Sequence, residues 1–498
     1  MKRQSGILMP IFSLPSSYGI GGFGKESYEF IDFLEKANQS VWQVLPLVQT
    51  GFGNSPYSSV CALSFNPYFI DLERLNKCGL LTKTDLKKAR YKSKLIDYGK
   101  LYSVRYPLLR KAFSKFDVED EKFTEFVKSG EYRDYALFMA IKTVNDNKPF
   151  YEWNSGLKFR DKNALRSFKN KYKSEILFWQ FVQFTARNQW FELKDYANSK
   201  GIKILGDMPL YTSLDSSDVW ANASLYKLDE NLYPKKVAGV PPDYFSKTGQ
   251  LWGNPVYDYD NHKKDNFKWW TMRLKKVLQI FDYVRIDHFR GLDRYYEIPF
   301  GNQDATVGEW IKVPSIELFD SIHDKVDRER IIAEDLGIID DGVRELLSYT
   351  GYPGMKILSF AFNGEKDNLY LPEHIEENSV CYTGTHDNNT LFGLLSDSDD
   401  WDYNNFICGV SESLKKFKIK RKIDTKKRMA RAIIKLGFTS KANLFILPLQ
   451  DVALLGGEYR VNEPATVKDQ NWSVRIGKGS MNERAINRLK KLTKSANR

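Results

Sequence analysis

Cysteine is scarce in this chain: Cys61, Cys78, Cys381 and Cys408 are the only four among 498 residues. They form no CxxC pair and no Cys/His spacing suited to zinc, which excludes a disulfide scaffold and a structural zinc domain and leaves free thiols in a reducing compartment. Long apolar runs are missing too. No segment offers the ~18 consecutive apolar residues of a membrane-spanning helix. The apolar run near the N-terminus is short and is broken by Pro10, so it does not read as a signal peptide. The expectation is a soluble cytoplasmic protein. Internal repeats, low-complexity stretches and obvious linkers are absent as well. The five histidines, His262, His288, His323, His374 and His386, show no HExxH or Cys/His pattern, so no metal site is expected.

What is present is an ordinary globular composition with a basic balance. The hydrophobic fraction of 42% is enough for a sizeable core. The net charge of +12 invites a nucleic-acid reading, but the basic residues are spread. Their denser clusters, at 87–94, 415–427 and 488–494, read as solvated helical faces and a frayed end. No nucleic-acid-binding motif accompanies them, so no nucleic-acid partner is expected.

Eight short runs rich in apolar and β-branched residues recur: Gly6–Met9, Val41–Leu47, Ile202–Met208, Tyr283–Asp287, Arg330–Asp335, Met355–Phe360, Val380–Gly384 and Leu444–Leu449. Most are continuous rather than alternating, as parallel strands buried on both faces require. Helical patterns lie between them. The clearest is Ile176–Tyr196, stopped at Asn198–Gly201. Eight strands alternating with helices predict an α/β fold, a (β/α)8 TIM barrel, with a doubly wound open sheet as the alternative. A minimal barrel needs ~250 residues. The excess predicts large loop insertions forming subdomains: a Lys-rich, mainly helical one over 72–175 between the second and third strands, and an irregular one over 212–270 between the third and fourth. The whole of 1–498 then reads as one catalytic barrel.

Catalytic groups of such barrels sit at the C-terminal ends of strands. Three runs end in carboxylates: the fourth in Arg285-Ile286-Asp287-His288, the fifth in Ala333-Glu334-Asp335, the seventh in Thr385-His386-Asp387-Asn388. Any one of them could simply cap the next helix; three together point to chemistry. Arg285 and Asp287 are two apart and share a strand face. A guanidinium there would hold Asp287 ionised by lowering its pKa, which suits a glycosyl nucleophile. Glu334 follows an apolar run with no basic neighbour, and a partly desolvated Glu has the raised pKa of a proton donor. Asp387, with His386, is left to bind sugar hydroxyls and stabilise the transition state.

Taken together, these motifs resemble the amylomaltases, the 4-α-glucanotransferases also called disproportionating enzymes, of the α-amylase superfamily. The resemblance runs through Asn54-Ser-Pro-Tyr57-Ser58, Gly206-Asp207-Met-Pro209, the 239–255 loop from Gly239 through Asp243-Tyr-Phe-Ser to Gln250-Leu-Trp252-Gly-Asn254-Pro255, Val284–His288, Ala333–Gly337, Thr385–Asn388 and Arg460-Val-Asn462-Glu-Pro464. It implies transfer of an α-1,4-glucan segment to the 4-hydroxyl of another glucan. Maltooligosaccharides would serve as donor and acceptor, with no cofactor and no membrane. By resemblance Asp287 is the nucleophile, Glu334 the general acid/base and Asp387 the transition-state stabiliser. Arg285, His288 and His386 match contacts around the reactive sugar, and Tyr57 and Trp252 match aromatic platforms. Asp215, Asn462, Asn254 and Pro255 match further substrate contacts. The chain departs from the pattern twice: Ala465 stands where Gly is expected, and Val474 where a second Trp is expected near Trp472. An α-amylase-type hydrolase shares the covalent intermediate, and a silent glucan-binding protein would have no need of all three carboxylates.

Overall fold

The computed structural model describes residues 2–242, 246–337 and 339–498. Asp243, Tyr244 and Phe245 of the 239–255 loop lie outside the described residues. Twelve strands follow in chain order: β1 (Gln4–Leu8), β2 (Val41–Gln43), β3 (Lys203–Met208), β4 (Lys236–Val240), β5 (Gln250–Pro255), β6 (Tyr283–Ile286), β7 (Arg294–Pro299), β8 (Glu309–Lys312), β9 (Ile331–Ala333), β10 (Gly354–Ile357), β11 (Ser379–Tyr382) and β12 (Leu444–Pro448). Eight of them, at the eight apolar runs, form one parallel sheet in the order β10-β11-β12-β1-β2-β3-β6-β9. The sheet closes on itself where the Ala333 N–H donates to the Pro353 carbonyl at 3.0 Å. Asp335 completes the seam by accepting from the Met355 N–H at 2.5 Å. Gly354 is required here, because a Cβ at that position would stand 2.5 Å from the Asp335 carboxylate. The result is a (β/α)8 barrel.

The barrel's interior is a separate apolar plug of Leu8, Val41, Leu205, Ile332, Met355, Ile357, Val380, Tyr382, Leu444 and Ile446. Each is fully buried, which is why the runs read as continuous rather than alternating: one face fills the plug and the other meets the helices. Truncating Ile446 to Ala would cost about 2–5 kcal/mol. The long helix Lys173–Ser199 overshoots the sequence reading at both ends; it buries Phe178, Val182, Ala186, Trp190 and Leu193 along one stripe. Gly201, at φ 73°, lets the chain turn directly into β3.

Between β2 and β3 the chain is helical over Leu72–Lys77, Lys83–Ala89, Tyr98–Phe113, Glu121–Ser129, Arg133–Val144 and Lys162–Lys171. The stretch 212–270, expected to be irregular, holds β4 and β5. They pair antiparallel with each other, and β4 pairs with β7 from beyond the fourth barrel strand, giving a second sheet in the order β5-β4-β7-β8. Its strands escape the sequence reading because three of them carry Gly or Pro and they are stabilised by partners distant in sequence. The sheet leaves the barrel on loops after β3 and β6, at the C-terminal mouth. Among the described residues no helix is long and apolar enough to cross a membrane.

Candidate active site

The parallel ladder sets the heights of the functional groups. In register, Asp207 stands beside Arg285 and Arg285 beside Ile332. The ladder continues one residue past the strands: the Asp287 N–H donates to the Met208 carbonyl and the Glu334 N–H to the Ile286 carbonyl, each at 3.0 Å. Asp287 and Glu334 are thus neighbours at the barrel mouth, one level above Asp207 and Arg285.

Arg285 is the hub of the site. Its Nε and Nη2 donate to the two oxygens of Asp207 at 3.0 and 2.7 Å, and Nη2 also reaches Asp287 Oδ1 at 2.8 Å and the Tyr57 hydroxyl at 3.2 Å. The Asp207 side chain is fully buried and Arg285 nearly so, whereas Asp287 keeps 28% exposure. A planar guanidinium suits this forked duty. Burial works against the charge on Arg285, but Asp207, Tyr57 and Asp287 hold it ionised, with its pKa above the ordinary arginine value.

The expectation that Arg285 holds Asp287 below the usual carboxylate range is overturned. Burial pushes Asp287 up to about 7, Arg285 opposes the rise, and the charges of Asp207 and Asp387 add to it. The guanidinium gives its two-pronged contact to Asp207 and only one hydrogen bond to Asp287, so it does not offset desolvation. Glu334 is pushed up to about 8 by burial first and by the Asp287 charge second, against the pull of Arg285 and of the His288 N–H. That N–H donates to Glu334 Oε2 at 2.6 Å, while the Leu336 N–H donates to Oε1 at 3.1 Å. His288 makes its contact from a left-handed conformation, φ 49°, a strained backbone of the kind that clusters at functional sites. Its ring is held neutral, its pKa lowered to about 4 by burial and by Arg290. Its Nε2 is buried and meets no hydrogen-bond partner among the described residues.

A second group adjoins the first. The His386 ring stacks on Tyr57, centroids 5.3 Å apart and planes 13° apart, and His386 Nε2 lies 3.3 Å from Asp387 Oδ2. Burial lowers the His386 pKa, against the opposing charge of Asp387. Asn462 Nδ2 donates to Asp387 Oδ1 at 2.6 Å. Asp387 does not cap the following helix; Thr390 does, accepting from the Gly393 N–H. Tyr57 joins the groups, since its hydroxyl donates to Asp207 at 2.6 Å. A continuous chain of contacts therefore runs from Asp387 through His386 and Tyr57 to Arg285 and Asp287. Trp252 reaches the site from β5, with its ring perpendicular to His288 at 4.8 Å.

Three of the expected substrate contacts also have partners within the protein. Asp215 pairs with Lys142 at 2.5 Å and accepts from the Phe150 N–H at 3.1 Å. Asn254 Nδ2 donates to the Thr212 carbonyl at 3.0 Å, and Pro255 is a buried partner of Val237 in the second sheet. The structure also adds residues. Asp207 stands one residue before the end of the third barrel run, a signal already present in the sequence. Arg460 donates to the Asp387 carbonyl at 2.6 Å, and Trp472 packs on Tyr57 and His386. Ala465, at φ 60°, occupies a left-handed position that glycine takes more readily, which accounts physically for the Gly expected there.

Known proteins share this architecture. A family profile described as 4-α-glucanotransferase matches residues 9–480. A 4-α-glucanotransferase of Clostridium butyricum is 42% identical over 492 residues, covering 98% of this chain and 99% of that one. One of Aquifex aeolicus is 42% identical over 478 residues, covering 95% of each. The solved amylomaltase from Streptococcus agalactiae in complex with acarbose superposes with a TM-score of 0.94 at 37% identity and full coverage of both chains. The chain belongs to the 4-α-glucanotransferase family.

Proposed function

We propose that this protein moves a segment of an α-1,4-glucan to the 4-hydroxyl of an acceptor glucan or glucose by a retaining double displacement. Asp287 attacks the anomeric carbon of the donor and forms a covalent glycosyl intermediate, while Glu334 passes its proton to the departing glycosidic oxygen. Glu334 then takes the proton of the acceptor hydroxyl as that oxygen displaces Asp287. Asp387, held by Asn462 and His386, binds ring hydroxyls as positive charge develops on the sugar. The buried, unpartnered Nε2 of His288 offers a hydrogen bond to a further hydroxyl. The 1–498 chain acts as one catalytic barrel, with 72–175 and 212–270 as loop-borne subdomains that shape the glucan path.

The observation that carries this reading is the unequal setting of two adjacent carboxyls. Asp287 receives the guanidinium hydrogen bond. Among the described residues Glu334 receives only backbone N–H groups, and burial with the Asp287 charge pushes its pKa higher. Azide separates the roles. From maltosyl fluoride, whose leaving group scarcely needs an acid, Glu334→Ala should form the intermediate, resolve it slowly, and be rescued by azide to the α-azide. Asp287→Ala should give the β-azide or nothing. The opposite pattern reverses the assignment. With maltotriose, a ladder of longer oligosaccharides plus glucose is expected; a steady rise in reducing ends without longer products would mark a hydrolase.

A further inference from the structure

A row of aromatic side chains stands on loops that leave the C-terminal ends of the barrel strands, apart from the site described above. Tyr151, on the segment after β2, and Tyr233, on the segment after β3, lie with ring centroids 5.2 Å apart at 49°. Phe300, just after β7, continues the row 6.4 Å from Tyr233 at 33°. Phe300 is 50% exposed, and both tyrosines are partly exposed. Neither tyrosine hydroxyl makes a hydrogen bond to the described residues, which leaves both as donors and acceptors for a ligand. Lys158 leans over Tyr233, its Nζ 5.6 Å from the ring centroid. One exposed and two partly exposed rings from three different barrel loops thus form a contiguous patch, the kind of surface that marks a binding site.

The row is also tied to one of the residues matched to a substrate contact. Asp215, matched to a sugar contact, accepts from the N–H of Phe150 immediately before Tyr151, and its charge is felt by the Tyr151 hydroxyl. Successive rings are turned against each other rather than coplanar. A flat array would suit an extended β-linked chain; turned rings follow the coil that α-1,4 linkage imposes. The free hydroxyls and the lysine supply hydrogen-bonding groups for a neutral polyol.

We propose that Tyr151, Tyr233 and Phe300 form a remote platform that holds the far part of a long α-1,4-glucan, beyond the sugars next to the carboxylates. This rests on the glucan-transfer reading given above. The platform makes the enzyme prefer long glucans through binding, without acting on short ones.

The test is Tyr233→Ala combined with Phe300→Ala, assayed on maltotriose and on amylose. Maltotriose kcat/KM should stay within about twofold of wild type, while the KM for amylose rises about tenfold, the ~1.4 kcal/mol scale of lost apolar contact. Phe300→Trp should lower the amylose KM. Native electrophoresis through amylose gives a readout independent of catalysis: wild type should be retarded, and the double variant less so. An unchanged amylose KM overturns the proposal, as does an equal fall on both substrates. So does sedimentation showing a wild-type dimer and a monomeric variant, which would make the patch a self-interface. If wild type were retarded by amylose yet transferred nothing from either substrate, the platform would stand and the transfer reading would fail.

Discussion

The pH dependence of kcat/KM follows directly from the setting of Asp287 and Glu334. The first step needs Asp287 ionised and Glu334 protonated. Asp287 must lose its proton, so activity falls as pH drops through its pKa of about 7. Glu334 must keep its proton, so activity falls as pH rises through about 8. The two limbs leave a narrow optimum between them. Below it each pH unit removes a factor of about ten, so at pH 5 kcat/KM on maltotriose should be roughly a hundredfold below maximum. A carboxylate in the ordinary range near ~4 would leave the rate flat to pH 5. Because the groups interact, the limbs belong to the pair. Glu334→Gln assigns them: with maltosyl fluoride as donor, its residual first step should lose the alkaline limb and keep the acid one. The assay is initial rate against pH from 5 to 9, with stability checked at each end. Full activity at pH 5 would refute the reasoning, since it would mean that the single Arg285 hydrogen bond outweighs burial.

Arg285→Lys should lower kcat by about tenfold or more, because one ammonium cannot serve Asp207, Asp287 and Tyr57 together; wild-type kinetics would show that the fork is dispensable. Glu334→Gln should also change stability. A carboxyl whose folded pKa is raised is most favourable while protonated, and its contribution is lost as pH climbs from ~4.3, the unfolded value, toward about 8. The melting temperature of Glu334→Gln relative to wild type should therefore rise from pH 5 to pH 8, and a difference independent of pH would contradict this. Ala465→Gly relieves a left-handed backbone at an exposed site and should stabilise by about 1 kcal/mol in denaturant unfolding, with loss of stability as the contrary result.

The sequence alone determined the barrel, because its signal is local. A strand buried on both faces must be apolar at every position, so eight such runs separated by helical patterns leave little choice of fold. The same alternation rule placed Arg285 and Asp287 on one face, and the ends of the runs placed Asp287, Glu334 and Asp387 at the mouth. Tertiary structure decided which charge answers which. Asp207 lies 78 residues from Arg285 and takes its two-pronged contact. No local rule says that the nearer carboxylate, two residues away, receives only one bond. The direction of the Asp287 pKa was likewise beyond the sequence. Desolvation is a property of everything packed around the group, and here it outweighs one adjacent guanidinium. The second sheet stayed hidden for a related reason: β4 and β7 become strands because folding brings them side by side.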